Sequence, residues 1–267
     1  MLVEQRRSRL LELVRSRRFA TMPELAEDLQ VSESTIRRDI ELLEEQGSAR
    51  RIHGGVLYVG TSPMLPHFDS RQAARWDQKK AIAECTAPLI EDGDTVLLDG
   101  GSTTYEVARL LVGRPLHVVT NSLPVANLFA PDTNSDLVVI GGNVCPRTGV
   151  VQGPLADRML AGLRVRKTIL SVAAVHEEGF DNNNVMLVDT ERSMMKAADR
   201  VIVVVDSSKF GRQSLVRLCG LGEVQTLVVD AGITDPWRCR LLEVGVELMV
   251  AGPTGAESLP QPSAGNP

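Results

Sequence analysis

The chain has no apolar run approaching the ~20 residues needed to cross a bilayer. Its opening residues, MLVEQRRSRL, contain no apolar signal-peptide core. No membrane partner is therefore expected, and the expected location is cytoplasmic. Cys85, Cys145, Cys219 and Cys239 are scattered and never form a Cys-x-x-Cys pair. That spacing argues against a disulfide framework or a zinc ribbon, and it suits buried free thiols in a reducing compartment. His53, His67, His117 and His176 are just as dispersed, so no metal site is expected. Neither a G-x-G-x-x-G fingerprint nor a Walker A loop occurs. Dinucleotide and ATP sites lose their main support, and no cofactor is expected.

The most informative stretch is VSESTIRRDIELL, from Val31 to Leu43. Ser32 is placed to cap a helix. Ile36, Ile40 and Leu43 recur at helical spacing and turn inward, leaving Ser34, Thr35, Arg37 and Arg38 on the opposite face. Upstream, FATMPELAEDL, Phe19 to Leu29, reads as a shorter helix, with Thr21 and Glu24 at capping-box spacing. Only Gln30, Val31 and Ser32 separate the two, a spacing that predicts a helix-turn-helix. Leu10, Leu13 and Val14 mark a preceding helix, and Gly47 is placed to end the recognition helix. Two strand-like runs around His53-Gly54-Gly55 predict a hairpin, which makes the domain a winged helix. Residues 1–60 hold ten arginines and ten acidic residues, so the module is neutral and the case rests on where the charges fall. Ser32, Ser34, Thr35, Arg37 and Arg38 are the expected reading face, and Arg50, Arg51 and His53 are expected along the DNA backbone.

A chain of 267 residues has room for a second domain of about 200 residues. Its hydrophobic content of 43% is ordinary for a globular protein. Residues 61–78 read as a linker, 79–251 as an α/β domain and 252–267 as a disordered tail rich in Pro, Gly, Ser and Ala. Short β-rich runs alternate with helices in the second domain, which predicts a mostly parallel sheet covered on both faces. Ligands bind such sheets at the carboxyl ends of the strands. There stand Asp99-Gly100-Gly101-Ser102-Thr103-Thr104, then Thr120-Asn121-Ser122, then Gly141-Gly142-Asn143, and finally Asp206-Ser207-Ser208-Lys209. Small residues and hydroxyls at helix starts suit an anion.

Two segments, VSESTIRRDIELLEEQG and RRIHGGV, resemble the N-terminal domain of DeoR-family bacterial transcription regulators. KKAIAECTAPLIEDGDTVLLDGGSTT, VVTNSLPVA, VVIGGNV and VVVDSSKFG resemble the same family's effector domain. The resemblance implies a fold similar to ribose-5-phosphate isomerase, glucosamine-6-phosphate deaminase and CoA-transferase domains. It also implies a phosphorylated sugar or related metabolite as effector. Carried over, Asp99, Gly100, Gly101, Ser102, Thr103 and Thr104 would hold phosphate or hydroxyls. Thr120, Asn121 and Ser122 would line the opposite wall, and Lys209 would add charge. Where many members have a glycine-containing segment, this chain has Ser171-Val172-Ala173-Ala174-Val175, so Ala173 and Ala174 would narrow that loop. The expected protein is a repressor of a carbohydrate-metabolism operon, a homo-oligomer (dimer or tetramer) on operator DNA, released by its effector. The alternative is a sugar-phosphate isomerase or deaminase using Asp99 or Asp206 as general base. Because the acidic DGADE-type motif of those isomerases is absent, no enzyme activity is expected.

Overall fold

A computed structural model describes residues 3–17, 19–45, 49–52, 55–58, 68–252 and 255–258. They divide into two compact units, Met1–Ser70 and Arg71–Pro267. The first unit runs α1 (Val3–Arg17), β1 (Phe19–Ala20), α2 (Met22–Leu29), α3 (Glu33–Glu45), β2 (Ala49–Ile52) and β3 (Gly55–Tyr58). The capping box forms as the spacing predicts. Thr21 N donates to Glu24 Oε2 at 2.8 Å, and Glu24 N donates to Thr21 Oγ1 at 3.4 Å. The cap also corrects the expected helix start. A helix capped by Thr21 cannot include Phe19 and Ala20, which pair instead with Leu57 and Val56 and add a third strand to the wing. Gln30 turns the chain between α2 and α3 with φ 51°, a left-handed conformation unusual outside glycine. Ser32 Oγ accepts from Thr35 N at 3.3 Å and opens α3. In the wing, Ile52 pairs with Gly55. The predicted hairpin tip (His53 and Gly54) and Gly47 lie outside the described residues.

The boundary between the units falls within α4 (Phe68–Ala73), and α5 (Trp76–Thr86) follows in the second. Part of the expected linker is therefore helical, and its residues 61–67 lie outside the described residues. Then come β4 (Thr95–Leu98), α6 (Ser102–Leu111), β5 (His117–Thr120), α7 (Leu123–Phe129) and β6 (Asp136–Val139). A hairpin of β7 (Asn143–Cys145) and β8 (Val150–Gln152) leads to α8 (Pro154–Ala161) and β9 (Val165–Ser171). Next are β10 (Ala174–His176), β11 (Gly179–Asn182), α9 (Val185–Ala197), β12 (Ala198–Val205) and β13 (Val216–Cys219). The chain closes with β14 (Thr226–Asp230), α10 (Asp235–Glu243), β15 (Glu247–Gly252) and β16 (Gly255–Ser258).

Eight strands form the main sheet in the order β16-β15-β14-β12-β9-β4-β5-β6, with every pairing parallel except the antiparallel β15–β16 pair. Gly255–Ser258, expected to be disordered, thus supply an edge strand. A second sheet of β10, β11 and β13 was not foreseen. Alternation along the strands explains the layering. Ile202 and Val204 join Ile82, Val107 and Val125 on one face, while Val201, Val203 and Val205 join Leu160, Val188 and Leu241 on the other. Cys85 and Cys219 are buried thiols as expected, whereas Cys239 is exposed because Leu241 faces inward from the same helix. Among the described residues, no helix is long and apolar enough to cross a membrane.

The first unit has its own core of Leu10, Val14, Leu25, Leu29, Ile36, Ile40, Leu43 and Val56. One charge stands inside it. Asp39, on the inward face of α3, is 2% exposed and receives Arg6 Nε at 2.6 Å and Arg7 Nε at 3.0 Å from α1. Burial alone would raise its pKa, but the hydrogen bonds from Arg6 and Arg7 hold it below the ordinary carboxylate value. A lowered folded-state pKa means that the unfolded chain takes up the proton first. The ion pair's contribution is therefore complete above the ordinary carboxylate range and is lost as pH falls through the lowered value. Asp39→Asn should move the urea midpoint of the full chain's N-terminal unit downward at pH 7 and flatten its acid dependence, as followed by hydrogen exchange of α3. Unchanged exchange in α3 at both pH 7 and pH 3 would contradict this account.

Candidate functional site

Two surfaces collect the residues that the sequence singled out. On α3 of the first unit, Ser32, Ser34, Arg37 and Arg38 are exposed and Thr35 is half-buried. The hydroxyls of Ser34 and Thr35 both lie 2.9 Å from Ser32 Oγ. Arg37 is loosely paired with Glu33 at 4.0 Å, so its guanidinium remains open to solvent. The expected reading face is thus presented together at the amino end of one helix. Arg51 behaves differently. Its amide donates to Glu44 Oε1 at 2.7 Å and its guanidinium lies 3.3 Å from Glu41, so it is turned back onto α3. Arg50 lies on β2, its side chain outside the described residues, as is His53.

The second surface lies at the carboxyl ends of the sheet strands. Asp99, just past β4, is 2% exposed. Its Oδ1 accepts from Gly101 N at 2.8 Å, and its Oδ2 accepts from Ser171 N at 2.8 Å and Ser171 Oγ at 3.2 Å. Burial pushes this carboxyl above its ordinary range, against the hydrogen bonds from Ser171 and Gly101. Neighbouring atoms demand the two glycines. A Cβ on Gly100 would meet Val150 Cγ2 at 2.0 Å, and one on Gly101 would meet Ser171 Oγ at 1.5 Å. Ser171 crowds Gly101 in the loop after β4, and Val150 crowds Gly100. Ser102, Thr103 and Thr104 form the first turn of α6, where backbone N–H groups have no partner within the helix.

Thr120, Asn121 and Ser122 are fully buried ties. Thr120 Oγ1 donates to Leu98 O at 2.8 Å and accepts from Ser122 N at 3.0 Å. Ser122 Oγ caps α7 by accepting from Val125 N at 3.3 Å. Asn121 holds β8 across the strand ends, donating Nδ2 to Val151 O at 3.0 Å and accepting Val151 N at 2.7 Å through its carbonyl. Its buried Oδ1 accepts no hydrogen bond. Lys209 is half-buried in the turn after β12, where Asp206 accepts from Ser208 N at 3.1 Å.

Two cations that the sequence reading did not select stand with them. Lys79, on α5, is 4% exposed, and Nζ donates to the carbonyl oxygens of Arg71 and Ala74. Burial pushes its pKa down to about 8, opposed by Asp206 and reinforced by Lys209 and Arg71. Arg71, on α4, has Nε and Nη2 shielded from solvent. Burial lowers its pKa, and the charges of Asp99 and Cys145 oppose that shift. Arg71, Lys79 and Lys209 are thus coupled to the same group of loops as Asp99 and Asp206. On α9, Glu191 is 1% exposed and receives both of its hydrogen bonds from Asn182 Nδ2, at 2.7 and 2.8 Å. Burial and the Asp99 charge push it well above the ordinary range, toward its neutral form. A separate cleft of about 420 Å³, lined by Asp92, Leu116, His117 and Asp136, opens at the amino ends of β5 and β6, away from this cluster.

Family models match both units. Residues 6–61 match the DeoR-like helix-turn-helix domain, and residues 74–231 match the DeoR C terminal sensor domain. The chain belongs to the DeoR family. The "Uncharacterized HTH-type transcriptional regulator YulB" of Bacillus subtilis is 33% identical over 91% of this chain and 94% of that protein. The "Glycerol-3-phosphate regulon repressor" of Escherichia coli is 32% identical over 85% of this chain and 90% of that protein. Among solved structures, ribose 5 phosphate isomerase A from Neisseria gonorrhoeae has a TM-score of 0.40 and 12% identity, covering 69% of this chain and 96% of that one.

This DeoR-family chain is a transcriptional regulator rather than an enzyme, as its relatives are. The geometry agrees, because both candidate general bases are engaged: Asp99 by Gly101 and Ser171, Asp206 by Ser208. The sequence did carry a signal for Lys79. It stands on the apolar face of its helix with Ile82, Ala83 and Thr86, where a lysine is costly unless partnered. Arg71 gave no such signal, since it fell in a stretch read as linker. Gly101→Ala should destabilise the sensor unit by about 1–3 kcal/mol through overpacking. Because the clash is with one side chain, adding Ser171→Gly should recover much of that loss in a double-mutant cycle. Equal stability of Gly101→Ala and wild type in urea unfolding would refute the close contact.

Proposed function

We propose that this regulator is a repressor of a carbohydrate-metabolism operon, released from its operator by a phosphorylated sugar or a related metabolite. The observation that carries the reading is the buried Lys79, whose charge is coupled to Asp206 and Lys209 in the turn after β12, together with the hydroxyl-bearing first turn of α6. A buried cation needs an anion or a dense set of carbonyls. A helix amino terminus with hydroxyls in its first turn offers N–H donors to phosphate. Asn121 Oδ1, buried without a donor, adds an acceptor suited to a sugar hydroxyl. The relative whose name specifies a glycerol-3-phosphate regulon supports a small phosphorylated effector. In this reading, Gly100, Gly101, Thr120 and Ser122 shape the site, and Ser102, Thr103, Thr104 and Lys209 line it.

On the DNA side, Ser34, Thr35, Arg37 and Arg38 enter a major groove, with Ser32 fixing the start of α3. Arg50, Arg51 and His53 follow the backbone, which for Arg51 means exchanging Glu41 and Glu44 for phosphate. One winged helix reads few base pairs, so the working form is a homo-oligomer, a dimer or tetramer, on repeated half-sites in the cytoplasm. Fluorescence anisotropy with DNA from upstream of the protein's own gene, at fixed salt, tests both halves. Wild type should bind specifically and be released by at least one compound in a panel of sugar phosphates. Arg37→Ala should lose about 1–3 kcal/mol of operator affinity, roughly tenfold or more, with its fold intact. Wild-type affinity for that variant would remove the assigned reading face, and release by no phosphorylated compound would remove the assigned effector class.

A further inference from the structure

Asp99 is held by Ser171, and the loop that follows Ser171 is held in turn by two buried polar side chains that no role above uses. Asn182 ends β11 and is 6% exposed, and Glu191 on α9 is 1% exposed. Asn182 Oδ1 accepts from Ala173 N at 2.8 Å, a donor it shares with Asp181 O at 3.0 Å. Asn182 Nδ2 donates to Glu191 Oε1 at 2.7 Å and Oε2 at 2.8 Å, and reaches Ser171 O at 3.4 Å. This orientation of the amide pairs each of its atoms. Turned over, its oxygen would face the Glu191 oxygens and its NH₂ group would face the Ala173 N–H. Glu191 therefore decides which way Asn182 points. A buried carboxyl is costly unless it is hydrogen-bonded, and Asn182 supplies those bonds. The bonds continue past the loop. Ser171 N and Oγ donate to Asp99 Oδ2 at 2.8 and 3.2 Å, and Asp99 Oδ1 accepts from Gly101 N at 2.8 Å. Gly101 is the residue that opens α6.

We propose that Glu191 and Asn182 are positioning residues of the effector site, setting through Ala173, Ser171 and Asp99 where the first turn of α6 stands and so how tightly it holds an anion. This rests on the effector reading above. Both residues act through others rather than on the effector itself. A helix amino terminus presents its N–H groups as one rigid set, so a shift of that turn changes the aim of all of them together. Without the Asn182 amide, Ala173 N keeps only its bond to Asp181 O, and the loop from Ser171 to Ala173 slackens. Ser171 then holds Asp99 less firmly, and Asp99 holds Gly101 less firmly. Binding groups keep their geometry only when the residues behind them are locked by packing and hydrogen bonds. Here the lock is a carboxyl on a helix that none of the strand-end loops contains.

The test is titration calorimetry and hydrogen exchange on the full-length protein, with operator anisotropy in parallel. The probes are sn-glycerol 3-phosphate, D-glucose 6-phosphate, D-fructose 6-phosphate and D-glucosamine 6-phosphate, with sodium chloride matched for ionic strength. For a probe that releases the operator from wild type, Glu191→Leu and Asn182→Ala should each raise its Kd by about tenfold or more. The double variant should lose about as much as the worse single one, since the two side chains act through one contact. Glu191→Gln keeps one acceptor for Asn182 Nδ2 and should stay within about threefold of wild type. Without any probe, Glu191→Leu should speed exchange of the 99–104 and 171–174 amides by about fivefold or more, while β12 and β14 stay protected. Unchanged Kd in Glu191→Leu and Asn182→Ala would overturn the positioning role and leave the effector reading intact. A loss in Glu191→Gln as large as that in Glu191→Leu would overturn the assigned contact. Faster exchange throughout the sheet, or wild-type exchange at 99–104 and 171–174, would overturn the proposal whatever the probes do. Operator release by none of the probes would overturn the effector reading and the positioning role with it.

Discussion

The sensor unit depends on one buried carboxyl group. Asp99 sits where β4 stops and joins two backbone segments that are distant in sequence, the turn into α6 and the end of β9. A buried charge is tolerated only when hydrogen bonds replace its hydration, and Gly101 and Ser171 supply them. The consequences spread from there. Gly100 and Gly101 must lack side chains because Val150 and Ser171 press on them. Glu191 then lies within reach of the Asp99 charge and is driven toward its neutral form. The hydroxyl and amide residues that look like ligands in the sequence are thus mostly the frame.

The DNA-reading unit follows the same logic on a smaller scale. Its core among the described residues is small. Asp39 adds direction, since two arginines from α1 converge on it. Within Arg37-Arg38-Asp39, two arginines face outward and the aspartate inward.

Much of this was legible in the chain. The capping box at Thr21, the Ser32 cap and the inward spacing of Ile36, Ile40 and Leu43 are local rules, and local rules survive in the fold. The central strands were legible for the same reason: Thr95–Leu98 and Val201–Val205 are apolar runs bounded by turn residues. Three things were not legible. Phe19 and Ala20 pair with β3, a partner set by tertiary contact. β10, β11 and β13 are short, and their pairing connects residues far apart in sequence, which periodicity does not reveal. Arg71 reads as a linker arginine because the shielding of its guanidinium is a tertiary effect that local pattern does not reveal. Lys79 was the readable exception, a charged residue on an otherwise apolar helix face.

The antiparallel strand at the sheet's end has a further consequence. β15 is six residues long and carries Leu248, Met249 and Val250, and its outer backbone groups would otherwise stand open. Open apolar edges template the addition of strands from other molecules. β16 covers that row with a four-residue strand that includes Glu257 and Ser258 and runs against the direction of its neighbour. Among the described residues a short, reversed strand closes that edge, and such an edge makes a poor template.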